Sequence, residues 1–134
     1  MTQKMLYLHV KISRQSRMHF NKNSYTIGLW SEFLARWFLR FHGYSILKSR
    51  YITGKNTNRA EIDIIAKRKN TIVFVEVKSR QTIDAAWDAI TPTQSMRLRR
   101  AAETFLINKH WMGDARFDVI VVCHNKIYWA KNAI

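Results

Sequence analysis

Carboxylates are scarce in this chain and unevenly placed. Nine Asp and Glu stand against 23 Lys and Arg, yet Glu61, Asp63 and Glu76 fall within the stretch AEIDIIAKRKNTIVFVEVKSR, with Lys78 and Arg80 beside them. Two or three carboxylates and a lysine are what a hydrated Mg²⁺ and a phosphodiester together require. Mg²⁺ takes oxygen ligands, usually one or two carboxylates plus waters and phosphate oxygens. Held there, it lowers the pKa of a coordinated water and offsets charge on the phosphate under attack. A lysine at its side orients that water or stabilises the pentacoordinate phosphate, and Arg80 is placed to hold a neighbouring phosphate. The competing reading is a Glu-Val-Lys alternation on a solvated strand, because E-x-K alone is a weak signal.

The elements that must position these groups are two strands, Glu61 to Ala66 and Thr71 to Val77, rich in Ile and Val and joined by a turn within Lys67 to Asn70. Side chains alternate along a strand, so Glu61 and Asp63 share a face, as do Glu76 and Lys78. Register decides whether those faces coincide. An even loop, such as Lys69-Asn70 alone, sets Asp63 opposite Glu76 and Glu61 opposite Lys78, with Cβ atoms about 4.5–5.5 Å apart. An odd loop sets Asp63 opposite Val75 and splits the group across the sheet. Under the even loop Ile62, Ile64, Val73, Val75 and Val77 form one apolar face. Ile65, Ile72 and Phe74 then lie on the acidic side, where carboxylates are costly unless paired or metal-bound.

Around this hairpin the chain reads as a mixed sheet with helices. Leu29, Trp30, Phe33, Leu34, Trp37, Phe38 and Phe41 recur at helical spacing before Gly43, which predicts a helix over 29–41 with one broad buried face. Trp30, Trp37 and Phe41 are then core side chains; stacking on bases is the less favoured reading. Glu32 lies at the margin of that face, with Arg36 and Arg40 on its flank. A strand over 44–51 and a polar loop around Gly54 follow. A loop containing Trp87 leads to a second helix from Pro92 to about Lys109, capped by Thr91 or Thr93, with Leu98, Ala102, Phe105 and Leu106 inward and Arg97, Arg99 and Arg100 outward. Phe117 to Cys123 and Ile127 to Trp129 form a hairpin turning at His124-Asn125. The order is α-β-β-β-α-β-β, an α/β domain over 28–134 preceded by a basic extension, 1–27.

At 134 residues and 47% apolar the chain is long and hydrophobic enough for one buried core. A net charge of +14 attracts polyanions, nucleic acid first among them. No run reaches the roughly 18 apolar residues of a spanning helix, which argues against an integral membrane protein. Cys123 has no second cysteine to pair with and reads as a buried strand thiol. Residues 1–27 hold Lys4, Lys11, Arg14, Arg17 and Lys22 and no acid; a basic arm, an extra strand or an over-long start is favoured over a targeting peptide. The five histidines lack metal-ligand spacing, His124-Asn125 is better explained by a hairpin turn than by an H-N-H nuclease, and no P-loop is present.

The blocks GLWSEFLARWFLRFHGYSIL, AEIDIIA, VFVEVKSR, RLRRAAETFL and RFDVIVV, with IYWAKNAI at the end, resemble in order the bacterial YraN family of predicted endonucleases. The resemblance runs from Gly28 to the C-terminus and implies the restriction-endonuclease-like PD-(D/E)XK fold, a mixed sheet flanked by helices. It implies Asp63 and Glu76 as metal-binding acids, Lys78 as catalytic lysine, and the backbone carbonyl of Val77 as a further ligand. Glu32 matches a first-helix acid that many relatives turn toward the site, and Glu61 the acid of the family's G-E-I-D block. Two residues depart from the pattern: Ala60 stands where the family usually has Gly, and Gln94 where many members have Lys. Glutamine still donates a hydrogen bond to phosphate, without the charge.

Resemblance and charge together imply a cytoplasmic Mg²⁺-dependent endonuclease acting on DNA rather than RNA, with Mn²⁺ as substitute cation and water as nucleophile. The first-helix acid resembles that of junction-cleaving relatives and suggests branched or damaged DNA. Arg80, Arg97, Arg99 and Arg100 would contact the nucleic acid. A homodimer would suit cutting of both strands. Two other readings remain: a catalytically inactive nucleic-acid-binding protein of the same fold, and a structural adaptor whose charge serves other ends.

Overall fold

The computed structural model describes residues 24–54, 56 and 59–134, and the backbone of 6–9. The elements are β1 (Leu6–His9), α1 (Ser24–Phe41), β2 (Ser45–Thr53), β3 (Ala60–Arg68), β4 (Thr71–Ser79), α2 (Ile83–Asp88), α3 (Pro92–Asn108), β5 (Asp114–Cys123) and β6 (Lys126–Ala130). Six strands form one sheet in the order β1-β6-β5-β4-β3-β2. Only β4 and β5 run parallel, and the crossover between them carries α2 and α3. From α1 onward this is the anticipated α-β-β-β-α-β-β order with α2 added. The expected 1–27 extension lies mostly outside the described residues; within it, β1 pairs antiparallel with β6, and α1 begins at Ser24.

Near-continuous apolar runs in β4 and β5 suit strands covered on both faces. On one side α1 lays Ala35, Phe38 and Leu39 against Ile64, Ala66, Val73, Val75, Ile120 and Trp129. On the other, α3 lays Leu98, Ala101, Ala102 and Phe105 against Ile62, Ile65, Ile72 and Phe74. Each fully buried Leu or Phe contributes about 1.5–3 kcal/mol by leaving water. Gly43 ends α1 with φ +83°; its N–H donates to the Arg40 carbonyl and that of Tyr44 to the Leu39 carbonyl. This left-handed cap turns the chain back onto the core through Tyr44. Thr91 caps α3 as expected, its Oγ1 accepting the Gln94 N–H at 3.1 Å, with Pro92 in the first turn.

Three expectations are corrected. The buried face of α1 is the row Ser31, Glu32, Ala35, Phe38 and Leu39, whereas Trp30, Phe33, Trp37 and Phe41 are 52%, 42%, 47% and 83% exposed. Small residues at 31 and 35 let the helix approach the sheet more closely than a row of indoles would. Trp87 lies in a helix, not a loop: α2 is capped by Thr82, whose Oγ1 accepts the Ala85 N–H at 3.1 Å. Ile62 packs on the α3 side, opposite Ile64, because the regular alternation of β3 breaks at Asp63.

Candidate functional site

The two-residue turn Lys69-Asn70, with Lys69 at φ +53°, sets the even register. Arg68 pairs with Thr71, and the ladder runs on through Lys67–Ile72, Ala66–Val73 and Ile65–Phe74 to Ile64–Val75. There it stops. Asp63 and Glu76 stand next in line, but the strands part between them. The Asp63 side chain fills the gap, its Oδ2 accepting the Val77 N–H at 2.8 Å. One carboxylate thus takes the place of a backbone partner that β4 has lost. It is anchored by a main-chain donor and not by a mobile side chain.

Glu76 is buried; its Oε1 accepts a hydrogen bond from Gln94 Nε2 at 2.9 Å and forms an ion pair with Lys78 Nζ at 2.9 Å. Gln94 therefore orients a carboxylate, a use other than the phosphate contact expected of it. Burial pushes the Asp63 carboxyl up to about 8; the nearby Glu76 charge acts the same way, the Val77 N–H opposes it, and Glu32 adds a smaller upward push. Two neighbouring buried acids favour a shared proton or a shared cation.

Asp63, Glu76, Val77, Lys78 and Arg80 line one cleft of about 300 Å³ with Ser24, Ile27, Gly28, Ser31 and Glu32 of α1. The Arg80 guanidinium is exposed and donates to the Ser79 carbonyl at 2.8 Å. Glu32 reaches the cleft wall but is engaged by Arg50, Nε to Oε2 at 3.0 Å, from a strand residue held at φ +53°. Glu61 is not in the cleft and faces Arg59 at 3.8 Å, so the anticipated Glu61–Lys78 pair does not form. Arg97, Arg99 and Arg100 are exposed along α3, with the Arg99 guanidinium over the Phe117 ring at 5.2 Å. Ala60 is buried without a left-handed backbone, so Gly is not required there.

Do these residues suit a divalent cation? Among the described residues no group of three or more His, Cys, Asp or Glu could hold a metal ion. A hydrated Mg²⁺ needs only one or two carboxylates. The cleft also holds a buried hydroxyl, Ser31 Oγ, without a hydrogen-bond partner. Such an orphan is costly unless water or a ligand oxygen meets it. The donor set is all oxygen, hard, and short of one partner; it fits.

Sequence reasoning missed Ser31, Arg50 and Asp118. Asp118 is fully buried on β5, accepting from Arg116 Nε at 2.8 Å, Trp129 Nε1 at 2.8 Å and the Asn132 N–H at 2.9 Å, while Arg116 also reaches the Tyr44 hydroxyl at 3.0 Å. This satisfied network ties β5 to the chain after β6 and lies apart from the cleft-lining residues. An acid inside the apolar run RFDVIVV was its signal.

An α/β domain whose neighbouring strands β3 and β4 bring a carboxylate pair and a lysine into one cleft is the class that fold and site define. The model of "Uncharacterised protein family UPF0102" matches residues 31–122. A UPF0102 protein of Paramagnetospirillum magneticum is 39% identical over 97 residues, 71% of this chain and 75% of that one. One from Rhodopseudomonas palustris is 38% identical over 104 residues, covering 76% and 77%. One from Bartonella tribocorum is 33% identical over 117 residues, covering 86% and 84%. The chain belongs to UPF0102, the YraN family.

Proposed function

We propose that this protein is an endonuclease that hydrolyses phosphodiester bonds in DNA with Mg²⁺, or Mn²⁺ in its place, in the cytoplasm. The observation that carries the reading is the convergence of Asp63, Glu76 and Lys78 in one cleft at the parting of β3 and β4. The remaining oxygens of Asp63 and Glu76, with the Val77 carbonyl, would hold the cation. When bound, it would supply an activated water and charge compensation at phosphorus. Asp63 is kept in place by the Val77 N–H and Glu76 by Gln94. Lys78, braced on Glu76, brings an ammonium group to the cleft, where it donates to the attacking water or to a phosphate oxygen. Arg80 holds the next phosphate, and Arg97, Arg99 and Arg100 extend the backbone contact along α3. Branched or damaged DNA is the proposed substrate form, and a homodimer the arrangement for cutting both strands.

A catalytically silent DNA-binding protein is the second reading, favoured by one observation. Glu32, the third acid near the site, is committed to Arg50 and leaves only two carboxylates for a cation. A panel of labelled single-stranded, duplex, flap and four-way-junction DNAs separates the two. With Mg²⁺, wild type is expected to cut at least one of them and EDTA to stop it. Lys78→Ala and Asp63→Ala should each lower cutting by about 10²-fold or more while retaining most DNA binding. Binding without cutting in either metal would select the silent protein.

A further inference from the structure

We propose that the outward row of rings on α1 is a stacking platform for a single-stranded segment of the nucleic acid whose backbone enters the carboxylate cleft; the proposal deepens the nucleic-acid reading above and rests on it. The row is continuous. Trp30 stacks on Phe33 with ring centroids 5.5 Å apart, Phe33 meets Trp37 at 6.4 Å, and Trp37 meets Phe41 at 6.3 Å. About half of each indole remains in water, although the same helix buries its opposite face completely at Ala35 and Leu39. Leu29 and Thr26 join Trp30 and Phe33 around a shallow depression. One turn around the helix, Ile27, Gly28, Ser31 and Glu32 line the cleft that holds Asp63, Glu76 and Lys78. Rings and cleft are therefore two faces of one rigid helix, and a strand crossing from one to the other needs no rearrangement of the protein.

Charge selects the occupant. Arg40 lies over the Trp37 ring at 5.2 Å, Arg36 is on the same helix, and the one acid of α1, Glu32, is already paired with Arg50. A second copy brought against this face would carry the same arginines and the same +14, so the apolar gain would meet like-charge repulsion. A polyanion with flat apolar faces meets both features at once. Unpaired bases have such faces free, and each base stacked on an aromatic side chain is a sequence-tolerant contact. Duplex bases are already stacked on one another and present only edges in the grooves. An anionic lipid surface would satisfy the charge, but it would not explain why the row begins at the rim of a cleft suited to a phosphate.

The test is fluorescence anisotropy of the full chain in EDTA, where nothing is cut, with labelled oligothymidine and with a blunt duplex of equal length. Wild type is expected to bind the single strand more tightly. Trp30→Ala combined with Trp37→Ala should lose about tenfold or more of that affinity and leave duplex binding unchanged. The Trp→Leu pair, which keeps apolar area without a ring, should lose it too. Equal single-strand affinity in wild type and variants overturns the proposal. So does ring-dependent self-association in sedimentation, which would assign the row to a second copy. Ring-dependent binding to anionic phospholipid vesicles with unchanged oligothymidine binding overturns it as well. Mg²⁺-dependent cutting of a flap DNA, run in parallel, keeps the two readings apart. Ring-dependent binding with no cutting removes the nuclease and keeps the platform; Lys78-dependent cutting with rings that do not matter does the reverse.

Discussion

The buried carboxyl of Asp63 costs the fold stability once it ionises. It is pushed up to about 8 from an ordinary value of 3.8, so between those values the folded chain keeps a proton that the unfolded chain has released. The resulting stabilisation is complete below about pH 4 and is lost as pH rises through about 8. Metal-free wild type should therefore melt several degrees lower near pH 9 than near pH 6, and Mg²⁺ should restore much of the loss at the higher pH. Asp63→Asn should flatten this dependence and gain about 1–3 kcal/mol near pH 8, a discounted figure because the side chain keeps some contact with solvent. Thermal melts across that range decide it; parallel curves for wild type and variant would contradict this role for Asp63. Substitution at Asp118 lowers stability instead. Asp118→Ala strands a guanidinium, an indole N–H and a backbone N–H, and should cost about 3–5 kcal/mol in urea unfolding. The carboxylate pair was legible in the sequence because acids are rare here. Ser31 and Arg50 were not, since nothing local marks a hydroxyl as orphaned or a strand arginine as left-handed.

Among the elements, the hairpin β3–β4 was the most legible and α1 the least. The hairpin's parity follows from a two-residue turn, and every observed pair from Arg68–Thr71 to Ile64–Val75 obeys it. The parting of the strands beyond Ile64, which moves Ile62 to the other face, depends on a side chain replacing a backbone partner and leaves no trace in alternation. Helix α1 has two apolar rows, and periodicity cannot rank them; the tighter-packing row of Ser31 and Ala35 faces the sheet. Helix α2 is six residues long, too short to display a period. Insertion of one residue between Lys69 and Asn70 is expected to abolish cutting and lower the melting temperature, because it drives Asp63 away from Val77. Lys69→Gly, which relieves the positive φ, should leave cutting unchanged and raise stability by about 1 kcal/mol. Cutting that survives the insertion would show that Asp63 does not need this register.

At the scale of the whole molecule, charge dominates and was read directly from composition. Some cations have internal duties: Lys78 on Glu76, Arg50 on Glu32, Arg116 on Asp118. Arg80, Arg97 and Arg100 are exposed on the α3 helix or at the cleft rim. Binding to any nucleic acid should weaken steeply with salt, by about tenfold or more between 50 and 200 mM, as counterion release requires. A flat salt dependence would point to a partner that is not a polyanion. Among the described residues no helix is long and apolar enough to cross a membrane. The resemblance implied a mixed sheet flanked by helices, but the strand order and the parallel β4–β5 pair are seen only in the structure. Neither composition nor periodicity could have supplied that pair, since the contact spans two intervening helices.

That parallel pair also sets a timetable. β4 carries Glu76 and Lys78, and its whole length from Thr71 to Ser79 is hydrogen-bonded to Asp114–Val122. As the chain leaves the ribosome, the local hairpin β3–β4 can close early, but its second edge stays open until β5 has been made, and β1 waits longer still for β6. Contacts this far apart in sequence form slowly. A strand bearing the site thus passes its first moments as an exposed apolar edge, with Glu76 and Lys78 not yet fixed by their neighbours. The cleft, on this order of assembly, is complete only near the end of synthesis, and a nascent chain held before β5 would be sticky and would lack it.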